Sequence, residues 1–346
     1  MITDSISVPR EDRLSAIRTS KLFWPLAALA LLLSFNLITD PSFFAIEYKN
    51  GVFFGSLIDI LNRAAPVALL ALGMTLVIAT GGIDLSVGSI MAIAGATSAW
   101  LISHEVVNSL WLILAISLGV SLLAGLWNGL LVTALGIQPI IATLILMVAG
   151  RGIAQLITNG QVLTFSHEGF EMIGGGAFLG LPLSISIVIC SYALALLLLR
   201  KTALGLFIES IGSNPIASHY TGIRSNLVKF SVYGVCGVAA GLAGLILTSD
   251  IQGADANNVG LWSELDAILA VVIGGTALTG GRFSLSTTLV GVVILQTLTT
   301  TILTHGLPVQ YTLIVKSAVV IIVMLLMSAE FRHQMKSLFQ RGQRSE

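Results

Sequence analysis

The sequence predicts an all-α, polytopic integral membrane protein with about ten transmembrane helices in one domain. Of its 346 residues, 55% are hydrophobic and only 10% charged, and the mean hydropathy is +0.95, so there is too little charge to solvate a globular surface. Apolar runs recur along the whole chain at lengths that cross a hydrocarbon core about 30 Å thick. The cations are placed unevenly. With ten crossings and both termini in the cytoplasm, Arg10, Arg13, Arg18, Lys21, Arg200, Lys201, Arg224, Lys229, Arg282, Arg332, Lys336, Arg341 and Arg344 fall inside. Only Lys49 falls outside, while Arg63, Arg151 and Lys316 lie in or beside helices. This is the positive-inside bias of a multi-pass protein, and it carries more information than the formal net charge of zero.

The expected helices cover 22–39, 64–80, 85–103, 109–135, 139–158, 180–199, 228–249, 265–279, 285–304 and 309–328. They define a transmembrane domain over 22–328, with cytoplasmic tails at 1–21 and 329–346 and one sizeable cytoplasmic loop at 200–227. The first apolar run follows four basic residues in the manner of a signal peptide, but the many later spans favour an uncleaved first helix. The outer loops, 40–63, 159–179 and 250–264, are small and mildly acidic, and none is long enough for a domain. Cys190 and Cys236 lie inside apolar runs and read as small core residues. Gly234, Gly237, Gly241 and Gly244 make one stripe of small residues, and Gly125 with Gly129 makes a second. Such faces let helix backbones approach closely in lipid.

Two places break the apolar pattern. Gly81 and Gly82 separate two runs that are each near the lower limit for a crossing, and Gly274-Gly275 with Gly280-Gly281 divide the second. Unwound backbone at depth is tolerated only where protein or a cavity satisfies it, and transporters with repeated halves use such breaks along the substrate route. Asp84 follows the first break. It reads either as a cap for a helix beginning at Leu85 or as a hydrogen-bond partner for a polyol in the pathway, with Ser86 and Ser89 adding hydroxyls. Asn128, Arg151 and Gln155 are further polar residues within spans; Asn128 and Gln155 join Asp84 and Ser86 as candidate pathway residues, whereas Arg151 is close enough to the outer end to snorkel.

Much chemistry is missing from the sequence. Gly275 and Gly280 have the spacing of a phosphate-binding loop, but residue 281 is glycine where that loop needs lysine, so no ATP site is predicted on this chain. No HExxH and no GxSxG occurs, and the five histidines show no metal-ligand spacing. No catalytic residue and no metal site are therefore expected. Residues 200–227 are far more than two antiparallel helices need for a connection. Gly205, Gly212 and Asn214 bracket a short helical stretch at 206–211, with Leu206, Phe207 and Ile208 as an exposed apolar knob and Glu209 at its rim.

With these residues identified, the chain resembles the permease subunits of ATP-binding-cassette importers for monosaccharides, the ribose, xylose and arabinose family of bacterial inner membranes. The resemblance rests on "GGIDLSVGS" at 81–89, "ELDAILAVVIGGTALTGG" at 264–281 and "ALGLFIESIGSNPIASHYTGI" at 203–223. "DIQGADANNVGLWSELDA", "GGRFSL" and "LPVQYTLIVK" look closest to permeases for galactofuranose. The resemblance implies a fold of ten helices and a transport subunit rather than an enzyme. It also implies partners: an ATPase subunit that binds ATP and Mg, a second permease subunit in a heterodimer, a periplasmic sugar-binding protein and membrane lipid, with no role for nucleic acid. Gly205, Phe207, Glu209, Gly212 and Asn214 would then couple to the ATPase, although this loop lacks the fuller EAA sequence of other importer classes. The rival reading is an ATPase-independent secondary sugar carrier or channel. Its ion coupling would need paired ionisable groups, for which the sequence offers Asp84 and Asp266.

Overall fold

The computed structural model describes residues 22–49, 51–306 and 311–327. Both terminal tails and part of "LPVQYTLIVK" lie outside the described residues. Most of the described residues are helical. In order come α1 (Phe23–Thr39), α2 (Ser56–Ala79), α3 (Val87–Ser103), α4 (Leu110–Thr133), α5 (Pro139–Ile157) and α6 (Glu168–Gly175). They are followed by α7 (Leu183–Lys201), α8 (Leu204–Ser213), α9 (Pro215–Tyr220), α10 (Ser225–Asp250), α11 (Ser263–Ile273), α12 (Leu285–Thr304) and α13 (Thr312–Met327). Six of these, α2, α4, α5, α7, α10 and α12, are long and apolar enough to cross a membrane. The apolar helices α1 and α3 are shorter at 17 residues each.

Helix α10 is the axis of the bundle. Its glycine stripe lets two neighbours touch it at once: a Cβ on Gly237 would meet Gly125 of α4, and one on Gly244 would meet the Met91 backbone of α3. Gly125 and Gly129 in turn rest on the Tyr233 and Phe230 backbones. Dispersion between closely approaching backbones is the main attraction available in lipid, so these contacts are what the small residues provide. α2 passes on another side of α10, and polar ties complete the bundle. Tyr192 of α7 donates to the Ala68 carbonyl at 3.0 Å, Thr75 and Thr288 join α2 to α12 at 3.1 Å, and Asn36 of α1 donates to Thr301 of α12 at 2.8 Å.

Several boundaries differ from expectation, each for a local reason. α2 starts at Ser56 rather than residue 64, because Asp59, Asn62 and Arg63 give its first two turns a polar character that hydropathy misreads as loop. At 24 residues α2 is a full-length helix, not a short one. α3 starts at Val87, two residues later than expected. α11 stops at Ile273, so 274–284, which includes both glycine pairs, is irregular. Cys236 is buried, but Cys190 is exposed on the outside of the bundle and is not a core residue.

The connections carry small pieces of sheet. β1 (Glu47–Lys49) pairs with β2 (Val52–Phe54), β4 (Ala177–Phe178) with β5 (Leu181–Pro182), and β3 (Leu163–Thr164) with β6 (Gly253–Ala254), all antiparallel. The last pair matters most, since it fastens the connection after α5 to the connection after α10. Ser249 adds a further tie by donating to the Phe170 carbonyl at 2.6 Å, which fixes α6 against the end of α10.

Candidate functional site

The turn between α2 and α3 places a carboxylate in the bundle interior. Asp84 is 0% exposed. Its Oδ1 accepts the Ser86 backbone N–H at 2.9 Å, the Ser86 hydroxyl at 2.6 Å and the Asn128 amide of α4 at 3.3 Å. Asn128 also donates to the Ser86 hydroxyl oxygen at 2.7 Å, and the Cys236 thiol of α10 lies beside the carboxylate. Asp84 therefore closes the turn that precedes α3, three residues before the helix begins, rather than capping a helix at Leu85. The structure brings Asp84, Ser86 and Asn128 together in one buried network. Ser89, one turn on, donates to the Leu146 carbonyl of α5 at 3.1 Å.

Gln155 is elsewhere. It stands on α5 near Arg151, and both hold down the connection between α10 and α11. Arg151 donates to the Ala256 carbonyl at 3.0 Å and the Val259 carbonyl at 2.5 Å, and Gln155 donates to the Asn257 side-chain oxygen at 2.7 Å. Asp255 braces the same loop by accepting the Asn257 and Asn258 backbone N–H groups. Arg151 does not snorkel; it is spent on two backbone carbonyls of that connection. Beside it, a groove of about 630 Å³ runs along the end of α5, lined by Gly152, Gln155, Asn159 and Gly160.

This pinned loop dips into the bundle. Ala254, Ala256, Val259 and Gly260 are all buried, and a Cβ on Gly88 at the start of α3 would strike the Gly260 carbonyl oxygen and the Glu264 carboxylate. α11 packs antiparallel to α12, with Gly291 against Ala270 and Gly274 against Thr288. That register puts the start of α11 about 9 Å short of the far end of α12, at 1.5 Å per residue. α11 is thus a half-length helix whose N-terminus, bearing the buried Glu264, faces the N-terminus of α3. Asp266 in its first turn is held by Lys316 of α13, whose Nζ donates to both carboxylate oxygens at 3.0 and 2.9 Å.

At the end of the bundle that carries α8 and α9, the coupling candidates separate. Ile208 is 3% exposed and Phe207 packs against the core, so neither forms an exposed knob. The exposed apolar surface is Leu206 at 66%, Ile216 at 70% and Tyr220 at 85%. The loop contains two short helices rather than one: Asn214 accepts the Ile216 and Ala217 N–H groups and caps α9, with Pro215 in its first position. Glu209 is half-buried on α8, and Gly205 sits where a side chain would strike the Leu199 carbonyl. Gly81 and Gly82 end α2, Gly274 and Gly275 end α11, and Gly280 and Gly281 turn toward α12.

Sequence reading missed as site elements Glu264, Cys236, the Asp266–Lys316 pair and Tyr233 of α10, whose hydroxyl lies against Gly82 in the Asp84 turn. Glu264 stands next to the apolar run and looks like an outer loop residue; only the half-length of α11 puts it inside.

Residues 56–324 match the model of the branched-chain amino acid transport system / permease component family. The chain is 51% identical to the galactofuranose transporter permease protein YtfT of Escherichia coli (strain K12), over 92% of this chain and 94% of that protein. It is 41% identical to the fructose import permease protein FruF of Bifidobacterium longum (strain NCC 2705), over 93% and 92%, and 39% identical to the ribose import permease protein RbsC of Bacillus subtilis (strain 168), over 87% and 91%. No solved structure matches it. With a helical membrane fold, a family match over most of its length and full-length relatives that are sugar permeases, this chain belongs to the branched-chain amino acid transport system / permease component family.

Proposed function

We propose that this chain is a transmembrane subunit of an ATP-driven importer that moves a monosaccharide, galactofuranose in the first instance, from the periplasm to the cytoplasm of a bacterial cell. The observation that carries this reading is the 51% identity to a galactofuranose permease across nearly the whole of both chains. A second permease subunit completes the pathway as a heterodimer, a periplasmic sugar-binding protein delivers the cargo, and an ATPase subunit binds ATP and Mg. In this reading the chain crosses the inner membrane ten times. The six long helices are joined by α1, α3, α13 and the inserted loop with α11, and both termini are cytoplasmic. The excess of basic residues at the α8 and α9 end supports that orientation.

The groove beside Gln155 is the surface offered to sugar, and the Asp84, Ser86 and Asn128 network shapes the pathway from behind while closed to solvent. The coupling surface is Leu206, Ile216 and Tyr220, with Gly205, Phe207, Glu209, Gly212 and Asn214 holding it in place. A secondary carrier would use paired ionisable groups in its helices, and Asp266 with Lys316 is one such pair. What favours the importer is that the full-length relatives are import and transporter permeases and that the family model is a transport-system permease component.

The test is reconstitution in proteoliposomes with the second permease, the ATPase and the binding protein. Labelled galactofuranose should enter only with ATP and binding protein present, and excess ribose or fructose should compete poorly. Uptake that needs neither the ATPase nor the binding protein, or that follows an ion gradient, overturns the importer reading; equal uptake of ribose overturns the choice of sugar.

A further inference from the structure

Three backbone segments from distant parts of the sequence meet at one point. The last carbonyl of α2, on Ala79, accepts the Gly281 N–H at 3.0 Å. Gly212, in the last turn of α8, lies so close that a Cβ there would overlap both the Ala79 carbonyl oxygen and the Gly281 nitrogen. A Cβ on Gly280 would come within 3.0 Å of the Gly81 nitrogen and 3.1 Å of the Gly212 carbonyl oxygen. Every one of these neighbours is backbone, so no side chain can swing away to make room. Gly81, Gly280 and Gly281 also have φ of +81°, +90° and +96°, a region that other residues adopt only under strain.

From this point the chain leads directly to the interior. Beyond Gly81 it forms the Asp84 turn and enters α3; before Gly280 it comes from α11, which carries Glu264, and after Gly281 it enters α12. Close-packed backbone transmits displacement without the slack of flexible side chains. We infer that Gly212, the Ala79 carbonyl and Gly280-Gly281 form a rigid joint through which α8 positions both interior turns, so that the three segments move as one block. The joint rests on the importer reading for what drives α8, and it names the positioning residues within this chain. Gly212 is a positioning residue, touching neither cargo nor nucleotide.

The test compares Gly212→Ala with Gly119→Ala, a site on α4 where an added Cβ meets nothing. Hydrogen exchange is measured on the purified chain. In Gly212→Ala, exchange in 78–86 and 274–284 should rise together by about tenfold or more, while peptides from α4 and α10 stay protected as in wild type. In the fraction of importer that retains its ATPase, sugar imported per ATP hydrolysed should fall by about tenfold. Gly119→Ala should change neither quantity. Unaltered exchange in either segment, or a wild-type transport ratio, overturns the joint. Should Gly212→Ala fail to accumulate, the wild-type importer decides: on binding an ATP analogue, exchange in 204–213, 78–86 and 274–284 should shift in the same direction, and a shift confined to 204–213 overturns it. If no ATPase binds at all, the importer reading fails, and the exchange comparison on the chain alone still judges the joint.

Discussion

Asp84 keeps its place by accepting hydrogen bonds, not by pairing with a cation. Its three donors come from Ser86 and Asn128, so an uncharged side chain with an oxygen in the same position can retain them. Asp84→Asn should therefore accumulate and transport at close to wild-type levels. Asp84→Leu leaves buried donors unmet at about 1–3 kcal/mol each and should lower the yield and the thermal stability of the purified chain. Equal melting temperatures for the two variants would show that the network does not hold the turn. Asp84 and Asn128 were legible in the sequence because polar residues stand out in apolar runs. Tyr233 and Cys236 were not, since an aromatic and a thiol on a glycine-rich helix look like packing until the fold puts them beside the carboxylate.

Among the elements, α8 is the one that sequence patterning misjudged most usefully. An apolar Leu206, Phe207 and Ile208 run suggested a knob, but a helix can present only one face outward, and Ile208 and Ile211 turn toward the bundle. The outward apolar residues are then Leu206, with Ile216 and Tyr220 four apart on α9. Ile216→Glu and Tyr220→Ala should each cut co-purification of the ATPase severalfold while leaving the permease stable. Phe207→Ala should do the reverse, lowering stability with little effect on ATPase binding measured per folded chain. Pull-down yields alongside melting curves separate the two. The existence of most helices was legible from hydropathy because lipid demands long apolar stretches. The start of α2 and the end of α11 were not, because each depends on what the polar turn or glycine pair packs against.

At the scale of the whole molecule, α13 is tied to the bundle by a bidentate contact between Lys316 and Asp266, both largely shielded from solvent. Breaking a buried pair from one side leaves an uncompensated charge, which costs several kcal/mol. Lys316→Asp or Asp266→Lys alone should therefore yield little inserted protein, and the combined swap should recover a substantial part of it, as read from membrane-fraction yield. No recovery in the double variant would assign the losses to something other than the pair. Fifty residues separate the partners, so no local pattern announces them; only the packing that brings the first turns of α11 and α13 side by side does. The half-length of α11 has a consequence for biogenesis. At 11 residues it is about 16 Å long, roughly half of the hydrocarbon thickness, so it cannot partition into lipid as an independent span while the chain is being made. Its exposed backbone ends have to be met by protein: the loop pinned by Arg151 on one side and the Gly280-Gly281 turn on the other. The segment is thus placed late, after α2, α3 and α5 have built the slot and as α12 closes it, and the order of assembly follows from a helix too short to enter the membrane alone.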